Sequence, residues 1–192
     1  RFRSPKSQDQ VILQKDGDFA ISLEDNGKTD DYGHLRFTIS GSDGVVNYIT
    51  SSEQPFYNDE FWSVMLKRTM SGSGAEFTSE NIYTSASYEL TTKYYEASRE
   101  KILYESSEAM IVTASNMNAS YTSSGHIYLG GSGSRFGTNM FTGSLMEYRL
   151  WSEPLTASVF DNHVRTPKAY NGNTYSSSYD NLLIRYELND NK

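Results

Sequence analysis

The feature that most constrains the fold is a period-two alternation of apolar and polar residues, interrupted by turn-forming segments. Apolar side chains occupy every second position in residues 19–23 and again in residues 35–39. Successive side chains of a β-strand point to opposite faces, so each segment offers one face to a core and one to water. Asn26-Gly27 and Ser42-Asp43-Gly44 supply turn chemistry between and after these segments. Residues 18–50 therefore predict a meander of antiparallel strands.

Further strand signals recur along the chain, and helix signals are scarce. Apolar or aromatic runs bounded by turn residues occupy residues 61–68, 88–95, 101–104, 110–112, 126–129 and 145–151. One short helix is predicted to begin after Thr156, a good N-cap, and to end before Pro167. Regularly spaced strands with turn signals favour a sandwich or barrel. The predicted fold is an all-β antiparallel sandwich with one short helix near the C-terminal end.

Composition and charge exclude several classes of function. The 192-residue chain has no cysteine, which excludes disulfide frameworks, thiol catalysis and zinc–thiolate sites. Its net charge of -7 argues against binding of nucleic acid or of an anionic membrane, because a surface that binds either is positively charged. No apolar run approaches the ~18 residues of a membrane span. We therefore expect no nucleic-acid partner and no membrane partner.

The second half of the chain carries a recognisable pattern. A strand ending in Gly130-Gly131 is followed by Phe141-Thr142-Gly143-Ser144-Leu145-Met146-Glu147-Tyr148-Arg149-Leu150-Trp151 and then by Pro154-Leu155. This pattern resembles the C-terminal half of a laminin-G-like domain, with Tyr148 in place of a smaller aliphatic residue. Upstream, Trp62-Ser63-Val64-Met65-Leu66 is similar to the W-x-x-V strand of that family. The resemblance implies a concanavalin A-like jelly roll.

Two regions are expected along the chain. Residues 1–170 are predicted to form the jelly-roll domain, and residues 171–192 a polar linker and first strand that lead to a following module. We interpret the chain as a segment of a longer polypeptide. The alternative is a complete chain whose last strand, within residues 182–188, closes the sheet.

A second, looser resemblance concerns the segment from Phe160 to Asn173. It is similar to a connector found in large virion structural proteins of tailed marine bacteriophages. The resemblance implies a virion location and other protein subunits of the assembly as partners. An extracellular or cell-surface location is the alternative.

Catalytic motifs are missing from the sequence. Related jelly rolls include glycoside hydrolases, whose E-x-D-x-x-E strand places two carboxylates on one face. The nearest segment, residues 76–80, lacks the spacing and the central Asp. Gly130-Gly131-Ser132-Gly133-Ser134 falls short of G-x-S-x-G. We therefore predict that the protein is not an enzyme.

Calcium is the cofactor that the laminin-G-like resemblance implies, held by loop oxygens at one rim of the sandwich. Hard cations prefer carboxylate and carbonyl oxygens. Asp30 and Asp31 form the densest pair of candidates, ahead of Asp16, Asp18 and Asp43. The alternative is that these residues only supply turn chemistry.

Loop residues with aromatic and amide side chains are the candidate contacts for a glycan or a protein partner. They are Asn118, Tyr121, Tyr170 and Tyr175. The aromatic residues of 88–104 mark either a surface covered by another protein or a two-sided sandwich strand. The sequence predicts a non-catalytic module of a larger structural assembly, and the alternative function is a carbohydrate-binding adhesion module. Glu147 and Arg149 are expected to form a plain surface pair.

Overall fold

The fold is taken from a computed structural model. It describes residues 1–5, 8–15, 18–28, 31–40, 45–72, 83–113, 125–131 and 139–188. In chain order, the strands are β1 (Phe2–Arg3), β2 (Gln10–Lys15), β3 (Phe19–Asp25), β4 (Gly33–Ser40), β5 (Val46–Thr50), β6 (Trp62–Gly72), β7 (Tyr83–Glu96), β8 (Lys101–Thr113), β9 (Ile127–Leu129), β10 (Ser144–Leu145), β11 (Tyr148–Trp151) and β12 (Leu182–Tyr186). The helices are α1 (Ala157–Arg165) and α2 (Ser177–Asp180), and a single 3-10 turn spans Ala97–Arg99.

The first sheet has five strands in the order β5-β4-β3-β2-β9, with antiparallel pairing. Its β3, β4 and β5 are the predicted meander, which is confirmed. Strand β2 was not predicted, because its apolar run is only three residues long and polar residues flank it. The structure buries the flanking Gln10, whose Nε2 donates to Ser4 Oγ (3.0 Å) and whose Oε1 accepts from Thr142 N (2.6 Å). The buried side chain of Gln10 therefore has hydrogen-bond partners inside the fold.

The second sheet has five strands in the order β10-β1-β6-β7-β8. The sequence predicts two separate strands at residues 101–104 and 110–112, but the structure has one strand, β8, across both. The residues between them are mostly exposed and polar because β8 is the outermost of the described strands of this sheet, so they show no apolar alternation. Strand β7 lies between β6 and β8 and is paired on both sides, whereas residues 101–104 belong to β8. That another protein covers this surface stays a prediction.

The core lies between these two sheets, which confirms the predicted antiparallel β-sandwich. The alternating residues of β3 and β4 are buried, and Leu35, Phe37 and Ile39 are fully enclosed. Across the interface, the ring of Phe37 lies 5.2 Å from that of Tyr88, centroid to centroid. Trp62 packs its ring 4.6 Å from Phe56. Burial of each such side chain contributes roughly 1.5–3 kcal/mol.

A third, smaller unit follows the sandwich. We call residues 147–188, which contain β11, α1, α2 and β12, the C-terminal layer. Strands β11 and β12 form a separate two-stranded antiparallel sheet. Residues 145–151 are therefore not one strand as predicted. The chain leaves the second sheet after Leu145 and turns at Glu147, whose φ of 55° is left-handed.

The predicted helix is confirmed as α1. Thr156 is its N-cap, and Thr156 Oγ1 accepts from the backbone N–H of Val159 (3.4 Å). Phe160, His163 and Val164 form its buried face. The helix ends at Arg165, two residues before Pro167, as the sequence predicts.

Candidate interaction surface

Helix α1 is fixed to the outer face of the second sheet by a buried lysine. Lys93 of β7 is only 5% exposed, and its Nζ lies 2.6 Å from Asp161 Oδ1 and 3.0 Å from Glu105 Oε1. Burial alone would lower the pKa of Lys93, but the hydrogen bonds to Asp161 and Glu105 outweigh burial and raise it. The ammonium therefore stays charged and ties β7, β8 and α1 together.

Glu147 is the centre of a buried ion cluster in the C-terminal layer. Its side chain is 5% exposed and that of Arg149 is 9% exposed, so the expected surface pair is wrong. Glu147 Oε2 accepts from Arg149 Nη2 (2.9 Å), and Glu147 Oε1 accepts from Arg185 Nη2 (2.9 Å). Arg149 Nη2 also donates to the carbonyl oxygen of Pro167. The Glu147 carboxylate thus joins β11 to β12, and Arg149 ties the cluster to the segment after α1.

The charge on Glu147 is secured by these two arginines. Burial alone would raise the pKa of Glu147, but hydrogen bonds from Arg185 and Arg149 outweigh burial and lower it. Breaking a buried pair by removing one partner typically costs ~3–5 kcal/mol, because the remaining charge is left uncompensated. The cluster is therefore expected to be essential for the docking of β12.

His163 lies on the buried face of α1 and packs inside the C-terminal layer. Its Nε2–H donates to the carbonyl oxygen of Asn171 (2.8 Å), and its ring stacks on Trp151 at 5.9 Å between centroids. Burial, followed by the nearby Arg149 charge, lowers the pKa of His163. The lowered pKa favours the neutral imidazole, and His163 acts as a packing residue against Trp151.

The segment predicted as a polar linker is tied to the end of β11. Asn173 Nδ2 donates to Glu153 Oε2 (3.1 Å) and its backbone N–H to Glu153 Oε1 (3.2 Å). Ser177 Oγ donates to the same carboxylate (3.4 Å). The following strand, β12, then pairs with β11. That a further module follows residue 192 stays a prediction.

Exposed apolar side chains concentrate at the end of the described chain. Six of the thirteen exposed large apolar side chains in the described ranges lie within residues 170–188. We call them the exposed apolar set; they are Tyr170 (45% exposed), Tyr175 (94%), Tyr179 (76%), Leu183 (59%), Tyr186 (57%) and Leu188 (43%). The Arg185 guanidinium lies 5.1 Å from the centre of the Tyr170 ring. Exposed apolar side chains are common at interaction sites, so this end of the described chain is the candidate interaction surface.

The predicted site residues are only partly brought together. Tyr170 and Tyr175 both belong to the exposed apolar set, whereas Asp30, Asn118 and Tyr121 lie outside the described residues. Asp31 is exposed, and its carbonyl oxygen accepts from the backbone N–H of Tyr57 (3.0 Å). Over the described ranges, no group of three or more His, Asp or Glu residues could hold a metal ion. The calcium site stays a prediction.

The sequence did not indicate Leu183, Tyr186 or Leu188 as contacts. The apolar pattern of residues 182–188 was recognised only as a strand, and periodicity alone does not distinguish a covered strand from an exposed one.

Two cavities adjoin the C-terminal layer. The outer cavity has a volume of about 400 Å³ and lies between residues 63–68 of β6 and residues 149–155 of the layer. The inner cavity, about 170 Å³, lies between the two sheets and is lined by apolar residues such as Ile12, Ile21 and Leu129. Val64 and Leu66 of β6 line both cavities.

None of the helices in the described ranges is long and apolar enough to cross a lipid bilayer. In comparisons with known proteins, no family model, no curated protein and no solved structure matches the chain.

Proposed function

We propose that this protein is a non-catalytic β-sandwich module of a larger structural assembly, which presents its C-terminal layer to neighbouring protein subunits. The observation that carries the proposal is the exposed apolar set. Tyrosine is enriched at protein interfaces because its ring contributes a large apolar area and its hydroxyl keeps a polar contact. Exposed tyrosines on a layer that is held in place by ion pairs would suit binding to a neighbouring subunit.

The way in which the layer is held supports the proposal. Lys93 fixes α1 to the sandwich, Glu147 fixes β12 to β11, and Glu153 fixes the segment around Asn173. These polar contacts order the layer although many of its apolar side chains are not buried. Docking onto another subunit would bury them and complete the interface.

We further propose that the sandwich is a concanavalin A-like jelly roll and that the assembly is a phage virion. The supports are the laminin-G-like pattern of residues 127–155 and the connector-like segment from Phe160 to Asn173. The two packed five-stranded antiparallel sheets are consistent with that fold.

A carbohydrate-binding adhesion module is the second candidate. Tyr175 is 94% exposed, and a free aromatic ring is the platform on which a sugar ring stacks. In this case the protein would lie outside the cell or at its surface, and the layer would face a host glycan.

Electron microscopy of native material, labelled with an antibody against this chain, tests the proposal. We expect the label at regular positions in an ordered assembly in the intact particle. Label on free chains alone contradicts the structural function. Label on a stalk whose tip is unattached favours the carbohydrate alternative, and glycan-array binding of the wild type against Tyr175→Ser then tests it.

A further inference from the structure

The sequence contains two Asn-Gly pairs, and the structure places them in different surroundings. Asn26-Gly27 lies in the turn that follows β3, and Asn171-Gly172 lies in the C-terminal layer. In such a pair the backbone nitrogen of the glycine can attack the asparagine side-chain amide, because glycine has no side chain to obstruct the approach. Whether this attack occurs in a folded protein depends on how the amide and the nitrogen are held.

At the first pair, the asparagine side chain is folded toward the glycine. Asn26 Oδ1 accepts from the backbone N–H of Lys28 (2.8 Å), which holds the side-chain amide over the intervening Gly27 peptide group. Gly27 is exposed and has a left-handed φ of 65°. Of the described residues other than its two chain neighbours, none comes within 4 Å of the place that a Cβ of Gly27 would take. The attacking nitrogen and the amide are therefore close together in an open turn.

Two polar groups of the same turn are positioned to assist the attack. The backbone N–H of Gly27 donates to Asp25 Oδ1 (3.0 Å). A general base must lie within hydrogen-bond reach, ~2.6–3.2 Å, of the group whose proton it removes, and Asp25 meets this condition. The Lys28 N–H binds Asn26 Oδ1, the oxygen on which negative charge would develop during the attack. The turn thus supplies a base for the nucleophile and a donor for the developing oxyanion.

We infer that the Asn26-Gly27 turn is a self-modification site, at which the side-chain amide of Asn26 is converted to a carboxylate. The Gly27 nitrogen loses its proton to Asp25 as its bond to Asn26 Cγ forms. The Cγ–Nδ2 bond then breaks, and the nitrogen takes up one proton through solvent and leaves as ammonia. One water molecule opens the resulting succinimide ring at either carbonyl, which leaves aspartate or isoaspartate. Water is the co-reactant, and nothing is oxidised or reduced.

The second Asn-Gly pair is held in a way that opposes the same reaction. Asn171 Oδ1 accepts from Asn162 Nδ2 (2.8 Å), so its side-chain amide is bound to α1 and is not folded over the next peptide group. Gly172 is buried against Ser177, and its N–H donates to the hydroxyl of Ser178 (3.2 Å), which is no base at neutral pH. We therefore expect Asn171 to remain an amide in the folded protein.

The modification would change one contact between the turn and the segment after β5. Asn26 Nδ2 donates to Glu53 Oε1 in the unmodified chain. A carboxylate at position 26 has no N–H to donate and repels Glu53. Isoaspartate also routes the main chain through the side-chain methylene and lengthens the turn. The product therefore releases the turn from residue 53 and leaves the sandwich core unchanged. This inference is independent of the proposed function.

Incubation of the full chain at mildly alkaline pH, followed by peptide mapping with mass spectrometry, tests the site. The peptide that contains Asn26 should gain the mass difference between a hydroxyl and an amino group, at a rate at least ~tenfold above that of the peptide that contains Asn171. In concentrated urea the two rates should become similar, because the folded surroundings are lost. Equal rates in the folded chain overturn the inference, as does a slower conversion of Asn26 in the folded chain than in urea.

Two variants test the part played by Asp25. Asp25→Ser removes the base but keeps an oxygen near the Gly27 N–H, and we expect it to slow the conversion of Asn26 at least ~tenfold. Glu53→Gln is the matched control, because it also removes one carboxylate beside Asn26 but keeps an oxygen that can accept from Nδ2. It should react at the wild-type rate. Amide exchange of β3 and β4 shows that each variant is folded. Equal rates in the two variants overturn the inference that the turn promotes its own modification.

Discussion

The sandwich core and the C-terminal layer are held together by different interactions. Between the two sheets, fully buried apolar residues such as Leu35, Phe37 and Leu90 interlock. In the layer, the buried face of α1 is small, ion pairs at Lys93 and Glu147 add to it, and large apolar side chains stay exposed. Loss of packed volume should therefore destabilise the core, whereas loss of one charge should release the layer and leave the core folded.

The largest expected effect is that of Trp62→Ala. Trp62 is fully buried and contacts the rings of Phe56 and Tyr94. Truncation leaves a cavity, so we expect the free energy of unfolding to fall by ~3–5 kcal/mol in chemical denaturation. Tyr175→Ala, at a nearly fully exposed ring, is the matched control and should change it by less than ~0.5 kcal/mol. Equal losses in both variants would refute this account of the core.

Next in size is Glu147→Gln. The substitution leaves Arg149 and Arg185 without their carboxylate, so we expect β12 to lose ~3 kcal/mol of hydrogen-exchange protection. The β3 and β4 amides should keep their protection. Glu187→Gln is the control, because Glu187 also contacts Arg185 (3.1 Å) but is 57% exposed. Matching losses in β12 and in the core would show that the layer is not a separate unit.

Acid should release the layer before the core. The folded state lowers the pKa of Glu147, so its stabilisation is present above the ordinary Glu value of ~4.3 and is lost as pH falls through the lowered folded value. We expect β12 amides to lose protection below about pH 4 while core amides remain protected. In Glu147→Gln this acid step should be missing. A step of unchanged size in that variant would assign it to another group.

The smallest expected effect concerns the start of α1. Thr156→Ala removes the hydroxyl that accepts from Val159 N–H, which should lower the stability of the helix by ~1 kcal/mol. Ser176→Ala is the control, because Ser176 precedes α2 without a side-chain cap bond. Amide exchange of α1 measures both variants. Equal effects would rule out the capping contribution.

Local sequence signals predicted much of the sandwich. Alternation placed β3, β4 and β5, and the Thr156 cap with Pro167 placed α1 within a residue or two. The local signals failed in two places. In β2 the polar side chain of Gln10 is buried, and in β8 several polar side chains are exposed, so neither strand shows the apolar alternation of a half-buried strand. Of the candidate contacts that the structure describes, Tyr170 and Tyr175 are exposed. Leu183 and Tyr186 were missed because exposure is not a local property.

The sequence by itself determined that the chain forms an all-β sandwich with one capped helix, because period-two alternation and turn residues act over a few neighbouring positions. Only the tertiary structure decided that Glu147 is buried, since its partner Arg185 lies 38 residues further along the chain. Long-range pairing of charges and strand edges depends on three-dimensional placement, and no short sequence window encodes it.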